Sequence, residues 1–527
     1  MAAQPSASSM AGLDIRELLL PSAYPHEVGE IRLRETHVSW VVLTGTIAYK
    51  LKKPIKLDFV DMRLLSQRRT LCQEELRLNR RLAADLYLDV VPITRDDRGA
   101  HVGGSGEALE YAVRMKQFEA AQELPALLAR RDVSYTEMAA LARRLADFHG
   151  GAPRCEDIGD LDHGERTSRS ILGTLATLIA HRPAHIGAAE LAHLIDWTHD
   201  TLHALSSSIA ERQAGGFVRE CHGDLHAGNI VRWDETLTPF DCLEFDRALR
   251  CIDVVSDIAF LFMDLVSHRR EDLAHQFLSS YLEVTGDYAG IRGLPLYAVH
   301  RALVRAMVDA LSAEQRPRDH FDERVLARLR TAAGFTRAAR PTLYIMHGPS
   351  GSGKSWLSER LVPLIGAVRI RSDVERKRLP SASSPEERAG ASSTLYSREM
   401  RERIYRILTD RAQGPLEAGM RVIVDATFLE RTHRQAFLEL ARRLDARFVI
   451  VTCIADKAEM VRRIHSRAGR DPSDADVAVL EAQIDHLQPL DADEEHHAIR
   501  VDTTVPDVAA ETAARLRAHE HLQNGGS

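Results

Sequence analysis

Thr342-Leu-Tyr-Ile-Met346, followed by Gly348-Pro-Ser-Gly-Ser-Gly-Lys-Ser355, decides the fold of the second half of this 527-residue chain. An apolar run of strand length leads into a glycine-rich loop, and a helical pattern follows. The glycines allow main-chain amides to wrap phosphate oxygens, and the helix presents its positive end to them. In this context Gly348, Gly351, Ser352 and Gly353 form the cradle, Lys354 reaches the β and γ phosphates of ATP, and Ser355 holds magnesium. Further strand-like runs at 367–370, 421–425 and 448–454 alternate with helical ones. That alternation predicts a parallel sheet with crossover helices, an α/β P-loop NTPase domain over 342–520. Asp425 ends the strand Arg421-Val-Ile-Val-Asp425 and is expected as a second magnesium-supporting carboxylate.

Two features of this half favour a small kinase over a motor ATPase. In Arg371-Ser-Asp373-Val-Glu-Arg376 an Asp could activate an acceptor hydroxyl while an Arg grips an anionic neighbour. Later, Arg462, Arg463, Arg467 and Arg470 cluster on a helix-to-loop stretch, which suits a lid closing over the transferred phosphoryl group. The same cluster also suits a solvated basic helix.

Upstream, His222-Gly-Asp-Leu-His-Ala-Gly-Asn229 places an Asp five residues before an Asn and runs into the apolar pair Ile230-Val231. A kinase-type phosphoryl-transfer site needs this pairing: Asp224 to take the acceptor proton, and Asn229 to hold magnesium from the same loop. A turn at 234–236 leads to a second strand, so Asp241 is expected beside Asn229 as a further oxygen ligand, which suits magnesium. Before this loop, 31–35, 39–43 and 47–52 read as short strands, and a helical stretch follows with Leu71, Leu78 and Leu82 on one face. Glu75 shares that face, where an unpaired carboxylate is costly. Lys50 and Lys52 share one strand face, so either could reach the cleft and pair with Glu75.

On these residues the first half resembles the aminoglycoside phosphotransferase family, whose relatives include choline, methylthioribose and homoserine kinases. The resemblance covers most of residues 30–310, with His222 to Asn229 as the catalytic loop and Asp257-Ile-Ala259 as its supporting segment. It implies an α+β, protein-kinase-like bilobal domain over 31–332, with Asp224 as base, Asn229 and Asp241 on magnesium, and His222 and Asp257 bracing the loop. It also implies Lys50 as the ATP lysine paired with Glu75, and 113–118 as the hinge near the adenine. No GxGxxG precedes the lysine. Residues 341–515 resemble the P-loop kinases that include gluconate kinase, polynucleotide 5′-kinase and zeta-type toxins. There the resemblance implies Asp373 as base and Arg463 and Arg467 as lid. The fusion resembles a bacterial family described as bifunctional aminoglycoside phosphotransferase/ATP-binding proteins.

Composition sets the frame. A net charge of −7 argues against a chain whose main task is holding nucleic acid. No run reaches the roughly 18 apolar residues of a membrane helix, and the N-terminus lacks the pattern of a signal peptide. Six cysteines without a CxxC read as buried thiols in a reducing compartment, hence cytoplasm. Residues 1–30 read as a partly flexible leader, 333–341 as a linker and 521–527 as a flexible tail. The expected activity is transfer of the γ-phosphoryl group of Mg-ATP to a hydroxyl of a small molecule at two sites. His300, Arg301, Arg305 and Arg328 are candidates for an anionic acceptor, or for a solvated helix surface. The alternatives are a polynucleotide 5′-kinase or zeta-toxin-like second half, or one half acting only as a nucleotide sensor. Neither the acceptor nor the oligomeric state can be read from the sequence.

Overall fold

The computed structural model describes residues 12–57, 60–156, 162–181, 188–315, 321–337, 339–379, 398–467 and 476–522. They divide into two compact units, each assembled from separated stretches: 1–141, 147–166 and 210–257 in the first, and 142–146, 167–209 and 258–527 in the second.

In the first unit the three N-terminal strands form as their alternation predicts: Arg32–Glu35, Ser39–Leu43 and Ile47–Lys52. They continue through Glu110–Lys116 and Tyr87–Asp96 to Gly99–Val102 in one six-stranded antiparallel sheet. One face buries Val42, Tyr49, Leu51 and Ala112 against Leu13, Leu18 and Ala23, so Leu13, Leu18 and Ala23 of the N-terminal segment belong to this core. On the other face Ala48, Val113 and Met115 meet Cys72 of the helix Leu65–Ala83. By period two, Lys50 and Lys52 lie on the Ala48 face and point at that helix. Its buried residues include Cys72, Leu78 and Leu82 together with the charged Arg68 and Glu75.

The six cysteines are not all thiols. Cys155 and Cys251 form a disulfide, with Cα atoms 5.8 Å apart. The strands Val218–Glu220 and Cys251–Asp253 pair, and the amide of Cys155 donates to the Val218 carbonyl, which brings the two cysteines together across 96 residues of chain. That separation is why spacing concealed the pair. No helix among the described residues is long and apolar enough to cross a membrane.

The second unit contains a five-stranded parallel sheet in the order Ala367–Arg371, Arg421–Asp425, Thr342–His347, Arg447–Ile454, Ala498–Asp502. The central strand, Thr342–His347, is buried along its whole length, as expected when helices cover both faces of a parallel sheet. On one face, Tyr344 and Met346 pack on Leu357 and Leu361 of the helix Lys354–Ile365, and on Ala513 and Leu516 of the helix Val508–Leu522. The helix Glu271–Thr285 packs against Lys354–Ile365 and the edge strand Ala367–Arg371. Ser279 Oγ accepts the amide of Arg369 at 3.0 Å, and Tyr288 donates its hydroxyl to the Arg369 carbonyl at 3.2 Å. The compact division therefore does not follow the stretch 333–341. A fragment beginning at residue 340 loses both contacts, and we expect it to aggregate or to melt well below a fragment beginning near 258. Equal melting temperatures for the two would contradict this.

Several histidines are buried and neutral. Burial pushes His163 and His347 down to about 4 and His300 to about 3. In the unfolded chain each titrates near 6.5. Between those values the unfolded state binds more protons than the folded one, so stability falls as pH drops below about 6.5. The expected result is a melting temperature that decreases steadily from pH 7 to pH 5. A flat or rising profile in calorimetry would show that these rings are protonated in the folded protein.

Two candidate nucleotide sites

The first site is assembled from the sheet, the helix behind it and a hairpin. Ile230–Trp233 and Thr236–Pro239 pair antiparallel, with Asp234 and Glu235 at positive φ (44° and 59°) in the two-residue turn. The hairpin brings Phe240 back to Asn229, whose carbonyl accepts the Phe240 amide at 2.9 Å. Asp241 follows directly, at a φ of 62° that few residues other than glycine adopt. Its amide donates to the Tyr87 hydroxyl at 3.1 Å.

Asn229 Nδ2 donates to both the carbonyl and Oδ2 of Asp224 at 3.0 Å. With Nδ2 so committed, the amide oxygen is the atom left to face a cation. His226 Nδ1 accepts the Gly228 amide at 3.0 Å, which leaves the proton of the neutral ring on Nε2, 3.5 Å from Asp224 Oδ2. The Asp224 carboxylate, with its side chain 37% exposed, is thus oriented by Asn229, with the His226 ring 3.5 Å away. The loop beneath it is fixed by Asp257, which accepts the amides of His222 at 3.0 Å and Gly223 at 2.9 Å, with His149 Nε2 at 3.1 Å. His222 Nδ1 accepts the Asp224 amide and Nε2 donates to the Phe240 carbonyl at 3.0 Å, and burial lowers the pKa of this neutral ring.

Lys50 Nζ lies 2.8 Å from Glu75 Oε1 and pairs with Asp241. Lys52 pairs with Glu75 and with Glu244 and is fully buried. Both lysines meet Glu75, but Lys50 is the one that reaches the carboxylate at the end of the hairpin. Burial works against charge throughout this cluster, and the opposite charges overcome it at most positions. Glu75, shared by two ammonium groups, is held down at about 2, and both lysines are raised. Glu244 moves the other way, because its burial outweighs the attraction of Lys52. The oxygen donors Asn229 and Asp241 fit a magnesium ion.

At the second site, Gly351 and Gly353 adopt φ of 82° and 89°. A Cβ at 351 would stand 2.6 Å from the Met460 carbonyl oxygen, and one at 353 would stand 2.7 Å from Thr503 Oγ1, so both positions need glycine. The Gly348 amide donates to the Thr427 carbonyl at 3.1 Å, and the Ser350 amide to Gln483 Oε1 at 2.7 Å. Ser352, whose hydroxyl is buried, accepts Thr503 Oγ1 on its carbonyl at 2.8 Å. Lys354 Nζ donates to the Pro349 carbonyl at 2.8 Å. Ser355 lies in the first turn of the helix. One turn on, Ser358 Oγ donates to Asp425 Oδ2 at 3.1 Å, which sets Asp425 against that turn. The Ser355 hydroxyl and the Asp425 carboxylate are the hard oxygen donors magnesium prefers.

The other expected residues are placed as follows. Asp373 sits in the first turn of the helix Ser372–Arg378, 3.3 Å from Arg376, just past the strand that pairs Arg371 with Asp425. Arg463 bonds Thr503 through NH1 and NH2, both at 2.9 Å, lies 3.4 Å from the Gly351 carbonyl, and meets Glu459 at 2.6 Å through Nε. It therefore holds the back of the loop. Arg467 closes the helix Lys457–Arg467, its side chain lies outside the described residues, and Arg470 lies wholly outside them. Arg301 stacks 5.0 Å above Phe260, and Arg328 pairs with Asp264 at 3.2 Å. Glu244, Tyr87, Gln483 and Thr503 escaped the sequence reading. Glu244 alone left a local trace, a second carboxylate three residues beyond Asp241.

A family model described as an AAA domain matches residues 343–490. The protein Rv2004c of Mycobacterium tuberculosis (strain ATCC 25618 / H37Rv), described as uncharacterized, is 31% identical over 478 residues, covering 90% of this chain and 93% of its own. The protein Mb2027c of Mycobacterium bovis (strain ATCC BAA-935 / AF2122/97), likewise uncharacterized, matches equally. The chain belongs to their family. Among solved structures, a choline/ethanolamine kinase family protein from Mesorhizobium loti is 14% identical, covering 62% of this chain and 94% of its own, with a TM-score of 0.39. A gluconokinase from Sinorhizobium meliloti 1021 is 22% identical, covering 36% and 99%, with a TM-score of 0.28. In this chain, a kinase-like antiparallel sheet precedes a parallel-sheet, P-loop domain.

Proposed function

We propose that the chain is a phosphotransferase with two Mg-ATP sites: a kinase-like half over 31–332 and a P-loop half over 342–520, each acting on a hydroxyl of a small molecule. The observation that carries this reading is the meeting of Lys50, Glu75 and Asp241 from three separated segments, beside an Asp224 carboxylate oriented by Asn229. Asp224 would accept the proton of the attacking hydroxyl, and Lys50 would neutralise phosphate oxygens of the nucleotide. Asn229 and Asp241 would hold magnesium in the first half, and Ser355 and Asp425 in the second. The ion would supply charge neutralisation on the phosphates. In the P-loop half Lys354 would bind the β and γ phosphates, with Asp373 as the candidate base. An ATP-consumption assay across sugars, amino alcohols, nucleosides and oligonucleotides tests the reading. No acceptor-dependent turnover in any class would favour a nucleotide sensor. A polynucleotide substrate for the second half is less favoured, because Tyr405 is buried and stacked on His433 at 3.7 Å, where it cannot receive a base.

A further inference from the structure

Glu283 lies in the last turn of the helix Glu271–Thr285, about 70 residues upstream of the P-loop in a part of the chain that no nucleotide-binding motif touches. Its carboxylate holds two guanidinium groups of the edge strand: Arg369 NH2 at 3.0 Å on Oε2 and Arg371 NH1 at 3.2 Å on Oε1. Each arginine continues toward the magnesium side of the P-loop site. Arg369 NH1 donates to the Ser355 carbonyl at 3.3 Å. Arg371 Nε stands 3.9 Å from Asp425 Oδ2, beyond hydrogen-bond range, while Ser358 occupies that oxygen at 3.1 Å. The Arg371 and Asp425 side chains are 11% and 4% exposed, so water screens their attraction poorly. Glu283 itself remains ionised, since the two arginines outweigh the burial that would raise its carboxyl.

We propose that Glu283 is a positioning residue for the P-loop site, which keeps Arg371 drawn back so that the Asp425 carboxylate stays available to magnesium. Without the Glu283 charge, Arg371 closes on Asp425 and competes directly with the cation. Glu283 lies upstream of the P-loop in the chain but in the same compact unit, so a residue outside the nucleotide-binding motifs tunes metal binding at that site. This inference rests on the reading of Ser355 and Asp425 as the magnesium partners.

The test is nucleotide binding by the full chain in a background carrying Asp241→Ala, titrated with a fluorescent ATP analogue with and without magnesium. Glu283→Gln should raise the magnesium concentration for half-maximal binding by roughly 10–100-fold, the scale on which outer partners act on metal affinity. Binding in EDTA should be unchanged. Arg371→Gln added to Glu283→Gln should restore most of the magnesium response by removing the competitor, and Glu283→Asp should retain part of it. An unchanged magnesium dependence in Glu283→Gln overturns the proposal. So does a defect that Arg371→Gln does not relieve, because Glu283 would then act only through packing. Lys354→Ala in the same background separates the two levels. If it leaves binding intact, the P-loop reading itself has failed and the inference falls with it.

Discussion

Asp224→Asn should lower acceptor-dependent turnover by the kinase-like half by roughly 10²–10⁴-fold, the usual scale for a lost general base, with ATP affinity nearly unchanged. The substitution keeps the size of the side chain and an oxygen that can accept from Asn229 Nδ2, which now bonds the carboxylate. It removes the capacity to take a proton. Binding should survive because the groups that would meet the nucleotide, Lys50, Glu75 and Asp241, are held by their own ion pairs rather than by Asp224. Asp241→Asn should differ in kind. It weakens the pair with Lys50 and the magnesium site together, so affinity and rate both fall. Steady-state kinetics with an identified acceptor, beside equilibrium nucleotide binding, distinguish the two. Full turnover by Asp224→Asn alongside an inactive Asp241→Asn would move the base elsewhere and leave the loop as a metal platform.

Lys354→Ala should lower nucleotide affinity at the P-loop site by roughly 10–100-fold or more, since hydrogen bonds to charged groups are worth about 1.5–3 kcal/mol each. Lys354 is only 8% exposed and its ammonium group now caps the Pro349 carbonyl, so it sits against the loop with little rotamer freedom left to lose on binding. The loop should keep its shape in the variant, because the bonds from Gly348 to Thr427, Ser350 to Gln483 and Thr503 to Ser352 do not involve Lys354. The melting temperature should accordingly move little while one of two nucleotide sites disappears in a binding titration. Two surviving sites, or a large loss of stability with affinity retained, would count against the assignment.

Strands whose apolar positions alternate or run together were legible in the sequence. Those at 39–43, 47–52 and 421–425 coincide with the structure to the residue, because burial on one or both faces imprints the pattern directly. Ala498–Asp502 was not, since this outer strand of its sheet is half exposed and carries only Ile499 and Val501 inward. Candidates within one loop, such as Asp224 and Asn229, were readable because five residues of chain fix their separation. Partners that fold together from afar were not. Thr503 reaches Ser352 across 151 residues and Gln483 reaches Ser350 across 133, and neither leaves a trace in local spacing. The choice between Lys50 and Lys52 was open for a related reason: alternation puts both on one face, and both pair with Glu75, while Lys50 alone also meets Asp241. The cysteine reading failed in the same way, at a pair of residues joined only by tertiary structure.

The division of the chain into interleaved units bears on its synthesis. The first unit is complete in sequence by residue 257, so all of its segments are available before the rest of the chain emerges from the ribosome. The second unit also includes 167–209, whose Leu175, Leu178, Leu191 and Leu194 share a core with Phe260, Met263, Ala298 and Leu303, further along. During translation at about 5–20 residues per second, these leucines wait several seconds without their partners. A ribosome stalled just past residue 257 would hold a chain whose first unit is complete in sequence and whose leucine-rich surface still lacks its partners, the kind of surface that recruits chaperones.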